Sequence, residues 1–281
     1  MPPESLAHAV IATQVAAALA EDVGSGDLTA GLVPQARTRA TLITREDGVL
    51  CGQAWFAEVF AQLDAAVRID WQAQDGDRIR AGATLCTLDG PARALLTGER
   101  SAINFLQTLS GTATLTRRYA DAIAHTKARI LDTRKTLPGL RLAQKYAVRC
   151  GGGMNHRIGL YDGILIKENH IAAAGSLTAA LATAQALAQD RLMVAIEVET
   201  LAQLEAAIGA GARRILLDNF PLDQLRSAVA QTAGRAVLEA SGGITLATVA
   251  AYAETGVDFL SVGELTKSVR ALDLSLRFQA P

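Results

Sequence analysis

No apolar run in the chain approaches the ~18 residues that a membrane-spanning helix needs, so membrane insertion is not expected. The first residues also lack a basic stretch leading into an apolar one, and no export signal is expected. Cysteine is scarce: Cys51, Cys86 and Cys150 are odd in number and far apart. Neither a disulfide framework nor a metal-ligand spacing follows, and a reducing, cytoplasmic setting is expected. Net charge is nearly absent, at −1 over 281 residues. That removes any global pull toward nucleic acid or an anionic membrane, so neither is an expected partner. Electrostatic specialisation, where it exists, must be local. Half the residues are hydrophobic and 20% are charged, an ordinary globular composition. The length suffices for one large domain or two modest ones.

The pattern along the chain changes near residue 110. Before it, helical stretches (His8–Ala20, Ala54–Leu63, and one beginning at Glu99) mix with strand-like ones (Thr38–Leu50, Val67–Trp71, Thr84–Leu88). The acidic, turn-rich Glu21–Asp27 and the Asp75-Gly76-Asp77 and Ala81-Gly82 turns punctuate them. This mixture predicts an α+β layered domain. From Arg129 onward short apolar strands alternate with helices. The strands are predicted at Arg129–Thr133, Gly163–Lys167, Met193–Val198, Arg213–Asp218, Ala236–Ala240 and Val257–Val262. Helices are predicted at Leu177–Gln189, Leu201–Ala210 and Leu222–Ala233. Such alternation predicts a parallel sheet or α/β barrel. An eight-stranded barrel uses ~250 residues and only ~170 remain, so an incomplete barrel is expected.

In a barrel, functional residues collect where strands end. Those positions hold Thr133-Arg134-Lys135, Lys167, Glu197 with Glu199, Asp218 with Asn219, Ser241-Gly242-Gly243 and Val262-Gly263-Glu264. Charge is lopsided in the same region. No acidic residue falls between Asp132 and Asp162, while Arg134, Lys135, Arg141, Lys145, Arg149, His156 and Arg157 do. Lysine is rare, and three of the five lie at 135, 145 and 167. Cations at strand and loop junctions suit a pocket for a polyanionic small molecule. Arg141, Lys145 and Arg149 have helical spacing and are expected on a solvated helix face. Gly151-Gly152-Gly153, followed by Asn155-His156-Arg157, offers backbone able to pass close to a ligand. The two glycine turns after late strands predict phosphate cradles at helix N-termini. Glu197 and Asp218 suit Mg²⁺ or ribose hydroxyls, and a salt bridge to Lys167 or Lys135 serves equally well for either residue alone.

Together these residues resemble a known family. Thr133-Arg134-Lys135-Thr136-Leu137-Pro138-Gly139, Lys145-Tyr146-Ala147-Val148, Cys150–Gly153, Asn155-His156-Arg157 and Leu165–His170 resemble quinolinate phosphoribosyltransferases. The likeness extends to Glu197-Val198-Glu199, Leu217–Phe220, Ser241–Gly243, Val262-Gly263, and N-terminally to Glu21–Thr29 and Glu99–Phe105. It implies a type II enzyme of NAD biosynthesis that turns quinolinate and phosphoribosyl pyrophosphate into nicotinate mononucleotide, pyrophosphate and CO₂. It implies Mg²⁺ as cofactor. It also implies an N-terminal α/β sandwich domain (1–110, joined by 270–281), an open α/β barrel (111–269), and a homodimer with a shared active site. By resemblance, Arg100 is supplied across the dimer interface. Arg134, Arg157 and Lys167 face quinolinate, with Thr133, Lys135 and His156 beside them. Glu197 and Asp218 serve ribose and metal, and Ser241–Gly243 and Val262–Glu264 hold phosphate. Arg134, Lys135, Lys167, Glu197 and Asp218 are the expected catalytic set. Glu264 and Lys267 depart from the family pattern, which has a small residue and a histidine there. Glu264 is therefore expected to point away from the phosphate loop, or to act through its backbone alone. Alternatives are a molybdenum-utilisation protein of the same fold, a related pyrophosphorylase, and a non-catalytic phosphate-binding barrel. Asp75–Leu85 also resembles the turn of biotinyl or lipoyl carriers, but no lysine precedes Lys127 to carry the group.

Overall fold

The computed structural model describes residues 6–189 and 191–278. In chain order its elements are α1 (His8–Val23), β1 (Arg37–Thr44), β2 (Gly48–Val49), α2 (Gln53–Leu63), β3 (Arg68–Trp71), β4 (Arg78–Ile79), β5 (Thr84–Pro91) and α3 (Ala92–Ala122). Then follow β6 (Arg129–Leu131), α4 (Arg141–Cys150), β7 (Gly163–Ile166), α5 (Glu168–Ala174), α6 (Leu177–Ala188), β8 (Met193–Val198), α7 (Leu201–Gly209) and β9 (Arg214–Asp218). The chain ends with α8 (Leu222–Thr232), β10 (Val237–Ser241), α9 (Val249–Ala253), β11 (Phe259–Ser261), α10 (Glu264–Lys267) and β12 (Leu274–Phe278). Two compact units result. One is Met1–Arg117 with Leu137–Gly152 and Ser268–Pro281; the other is Arg118–Thr136 with Gly153–Lys267. A cut at 110/111 would have left 137–152 with the barrel, whereas this stretch packs with the first unit. Of the 270–281 segment, residues 279–281 lie outside the described residues.

The first unit is built on an antiparallel sheet ordered β12-β1-β5-β3. Alternation along β1 turns Ala40, Leu42 and Thr44 inward. The sheet's closing strand comes from the C-terminal segment, with Ala40 opposite Phe278 and Thr44 opposite Leu274. On α2, Trp55, Phe56, Val59 and Phe60 are buried, the spacing of one helical face. Phe56 meets Phe60 and Trp71 edge-on, with ring centres 5.2 and 5.3 Å apart. The Trp55 indole N–H donates to Gln14 at 2.7 Å, so its one polar atom is satisfied.

The Asp75-Gly76-Asp77 turn is part of this core. Asp75 accepts the N–H groups of Gly52 and Gln53, donors left open at the start of α2, and the Tyr146 hydroxyl at 2.9 Å. Burial pushes the Asp75 carboxyl up. The likeness to a carrier hairpin therefore has a structural cause. The solvated face expected for Arg141, Lys145 and Arg149 is corrected too. Most of α4 is buried, and Lys145 is only 2% exposed. Tyr146, bonded to Asp75 and packed 5.8 Å from Trp55, anchors the helix in the core.

The second unit is a six-stranded parallel sheet ordered β6-β11-β10-β9-β8-β7, with helices between successive strands. The strands β6 and β7 stand at its two edges, so the barrel is open. Ser176 and Thr200 cap α6 and α7 by accepting N–H groups from Ala179 and Gln203. Among the described residues no single helix is long and apolar enough to cross a membrane; α5 and α6 meet that test only as a pair bent by 97°.

Candidate active site

Strand register brings the predicted residues together. Glu197 is level with Leu216, and Leu216 with Glu239. Asp218 is level with Ser241, and Ser241 with Ser261. Side chains two residues apart share a face, so Glu197, Asp218, Glu239, Ser241 and Ser261 all project from the same side of the sheet. Lys167 follows Ile166, the partner of Ile196, and its ammonium meets Glu197 at 2.6 Å. The C-terminal ends of β7 to β11 thus present one continuous polar surface.

Lysines and carboxylates form its first half. Burial and the neighbouring Glu197 carboxylate push the Asp218 carboxyl above its ordinary range, while Lys167, Lys135 and a hydrogen bond from Asn219 work the other way. Glu197 makes the salt bridge to Lys167 and is close enough to Asp218 to disfavour its charge.

Arginines and histidine form the second half. Asp132, fully buried just past β6, accepts the Asn155 side-chain amide at 2.6 Å and the His156 N–H at 2.9 Å. The Met154 segment is drawn alongside β6 by a parallel bridge to Leu131. His156 Nδ1 accepts the Arg157 backbone N–H at 2.7 Å. Asp162 accepts the N–H groups of Ile158 and Gly159 and so shapes the loop beyond. Burial and the nearby Arg134 charge lower the Arg157 guanidinium, with Asp162 opposing. Two guanidiniums held in mutual repulsion suit an anion arriving between them.

The glycine turns need two corrections. No helix starts directly after Ser241–Gly243, since α9 begins only at Val249, and α10 after Gly263 is four residues long. A helix dipole therefore contributes little there. Gly242 is required for space: a Cβ would lie 2.1 Å from Asn219 Oδ1, and its φ is +102°. Asn219, itself left-handed at φ 56°, donates its side-chain amide to Asp218 and its N–H to Ser241 O. At the other turn, Gly263 leaves room for the Lys135 side chain, whose Cδ would be 3.2 Å from a Cβ. Thr133 Oγ1 accepts the Lys135 N–H at 3.1 Å, and Thr266 donates to the Lys135 carbonyl at 2.8 Å. The Glu264 carboxylate is taken by the hydroxyl of fully buried Tyr119. Val262 is buried and its backbone N–H donates to the Leu131 carbonyl at 2.9 Å, so it holds the turn in place and offers no free donor.

Gly151 and Gly152 serve packing in the first unit. A Cβ on Gly151 would lie 2.4 Å from Ala113 O, and one on Gly152 2.9 Å from the Arg117 guanidinium. Arg100 lies exposed on α3 in the same unit. Sequence reasoning missed Asp132, Tyr119, Arg214, Glu239 and Ser261. The one signal for Glu239 was a charge inside the apolar stretch Val237-Leu238-Glu239-Ala240.

Comparison with known proteins gives matches along nearly the whole chain. Residues 27–110 match the model for the N-terminal domain of quinolinate phosphoribosyl transferase, and residues 112–277 match that for its C-terminal domain. The chain is 45% identical over 257 residues to a probable nicotinate-nucleotide pyrophosphorylase (carboxylating) of Bacillus subtilis, covering 91% of this chain and 89% of the relative. It is 46% identical over 267 residues to the nicotinate-nucleotide pyrophosphorylase (carboxylating) of Mycobacterium leprae, covering 92% and 94%. Among solved structures, the nicotinate-nucleotide pyrophosphorylase of Francisella tularensis superposes with a TM-score of 0.96 at 46% identity, over 98% of both chains. That of Ehrlichia chaffeensis gives 0.90 at 36% identity, over 98% of this chain and all of the other.

Proposed function

The chain belongs to the quinolinate phosphoribosyltransferase family, and on that premise we propose that it is a decarboxylating pentosyltransferase of NAD biosynthesis. It joins quinolinate to phosphoribosyl pyrophosphate, releasing nicotinate mononucleotide, pyrophosphate and CO₂. The observation that carries this reading is a set of clustered cations, Arg134 close to Arg157 and Lys135 and Lys167 both close to Asp218, which suits a planar dicarboxylate and a diphosphate. Arginine forks hold carboxylates in a fixed plane, so Arg134 and Arg157 orient the ring. His156 and Thr133 hold the backbone on which those cations stand. The ring nitrogen forms a bond to ribose C1 as the bond from C1 to pyrophosphate breaks. Positive charge develops on the sugar, and Glu197 and Asp218 are the carboxylates we assign to stabilise it or hold its hydroxyls. The glycosylated ring is a pyridinium. It takes up the electron pair left when the 2-carboxylate departs as CO₂, and the ring carbon then gains a proton. No side chain needs to act as nucleophile; orientation and charge do the work. We assign the backbone donors for phosphate to the Ser241–Gly243 turn and to Gly263 and Glu264, with the Val262 N–H held by the Leu131 carbonyl.

Glu197 and Asp218 fit Mg²⁺. They are two adjacent carboxylates, Asp218 being pushed upward by burial and by Glu197; a divalent cation would relieve the repulsion, with substrate phosphates completing its shell. Bound there, Mg²⁺ would neutralise pyrophosphate charge. A homodimer with a shared site accords with the open barrel edge at β7 and with Leu160 and Tyr161, exposed at 73% and 75% a few residues beyond Arg157. Arg100 is the residue we assign to the neighbouring subunit's site. If so, Arg100→Ala is inactive alone, yet mixing it with Arg134→Ala restores part of the activity. Three buried thiols accord with a cytoplasmic setting. The test is a panel of nitrogenous ring acids offered with phosphoribosyl pyrophosphate and Mg²⁺. Quinolinate is expected to be consumed with CO₂ release; turnover of another ring acid and not of quinolinate would move the chain to a paralogous activity.

A further inference from the structure

Beneath the site lies a buried carboxylate with no part in the chemistry above. Glu239, in the middle of β10, is fully buried. One oxygen accepts two bonds from Arg214 on β9, at 3.1 Å from Nε and 2.7 Å from Nη2. Arg214 in turn stacks over Phe259 on β11, 4.7 Å from the ring centre. The other Glu239 oxygen accepts the Ser261 hydroxyl and lies 3.4 Å from His156 Nε2. The opposite ring nitrogen, Nδ1, accepts the Arg157 backbone N–H. With Nδ1 occupied as an acceptor, the ring hydrogen belongs on Nε2, facing Glu239. Burying a charge is costly, and an Arg–Glu pair at such depth adds little stability over apolar packing. What this pair does is fix an imidazole that in turn fixes the backbone of Arg157.

We infer that Glu239 is a positioning residue: through His156 it sets the Arg157 backbone and so the grip of the site on the acid ring. The ring tautomer stands on the geometry alone, whereas the consequence for quinolinate rests on the function proposed above. Glu239→Gln keeps the shape of the side chain but removes the charge that holds Arg214, Ser261 and the ring together. It is expected to raise KM for quinolinate about tenfold, leaving kcat and KM for phosphoribosyl pyrophosphate within about twofold. On a His156→Ala background the same change should add nothing further, because both act on one element. Unchanged KM, or full additivity with His156→Ala, would overturn the assignment. Should Glu239→Gln fail to fold, Ser261→Ala leaves the carboxylate in place and removes one of its donors. A rise of about threefold in the same KM is then expected, and no rise counts against the inference. Nitrogen NMR of histidine-labelled protein reads the ring without any substrate. His156, identified by the loss of its signals in His156→Gln, should be neutral with hydrogen on Nε2 at neutral pH. Hydrogen on Nδ1 would overturn the inference. This readout stands even if quinolinate is not turned over, so the two failures can be told apart.

Discussion

Around α2 the first unit buries Trp55, Phe56, Val59 and Phe60 against one another, whereas the second unit buries Asp132 and Glu239 just as completely. The first arrangement is the ordinary source of stability: apolar area leaves water and aromatic edges meet aromatic faces. The second is a poor source of it, since a buried carboxylate must recover its lost hydration through hydrogen bonds. Asp132 does so with Asn155 and His156, and Glu239 with Arg214 and Ser261. Asp132 is thereby bonded directly to the segment that carries Arg157, and Glu239 reaches the same segment through His156 Nε2, 3.4 Å away. Depth of burial alone thus does not tell structure from function; the partners do.

This contrast breaks if function and stability fail to separate by unit. Arg134→Ala should have the largest effect, cutting kcat/KM by about three orders of magnitude or more. Its unfolding free energy should change by no more than about 0.5–1 kcal/mol; steady-state kinetics beside denaturant melts check both. Trp55→Ala should do the reverse, costing about 3–5 kcal/mol of stability. Both KM values should stay unchanged in the folded fraction; altered KM values there would mean that the first core also shapes the site.

A smaller effect sharpens the reading of Glu264. Tyr119→Phe releases the Glu264 carboxylate beside the phosphate turn and should raise KM for phosphoribosyl pyrophosphate about threefold. Adding Glu264→Ala should bring it back, and failure of that rescue would point to packing instead. The smallest concerns pH. Burial and Glu197 push the Asp218 carboxyl upward, so it gains its proton at a higher pH than an ordinary aspartate as the solution is acidified. The acid limb of kcat/KM for phosphoribosyl pyrophosphate should therefore begin above the usual carboxylate range. Glu197→Gln, which removes the repelling charge, should move that limb to lower pH.

Much of this was legible in the sequence. The six barrel strands fall within about one or two residues of their predicted ends, because short apolar runs between helical stretches leave little freedom of register. Lys167, Glu197 and Asp218 were legible for the same reason, since strand ends are where a barrel exposes side chains. Lys145 was not. Helical spacing tells which residues share a face, but not whether that face meets water, and Tyr146 pulls this one into the core. Gly151 and Gly152 looked like room for a ligand, but the room is filled by Ala113 and Arg117. Glu239 stood in plain view as a charge within a strand, yet its partners Arg214 and Ser261 come from two other strands. Only register reveals them.

The central claim is that the charged ends of the barrel strands perform phosphoribosyl transfer to quinolinate. It is tested most directly by supplying purified protein with quinolinate, phosphoribosyl pyrophosphate and Mg²⁺ and counting every product. Nicotinate mononucleotide, pyrophosphate and CO₂ are expected in equal amounts, matching the quinolinate lost. Folded protein that consumes no quinolinate, or forms pyrophosphate without CO₂, would contradict it.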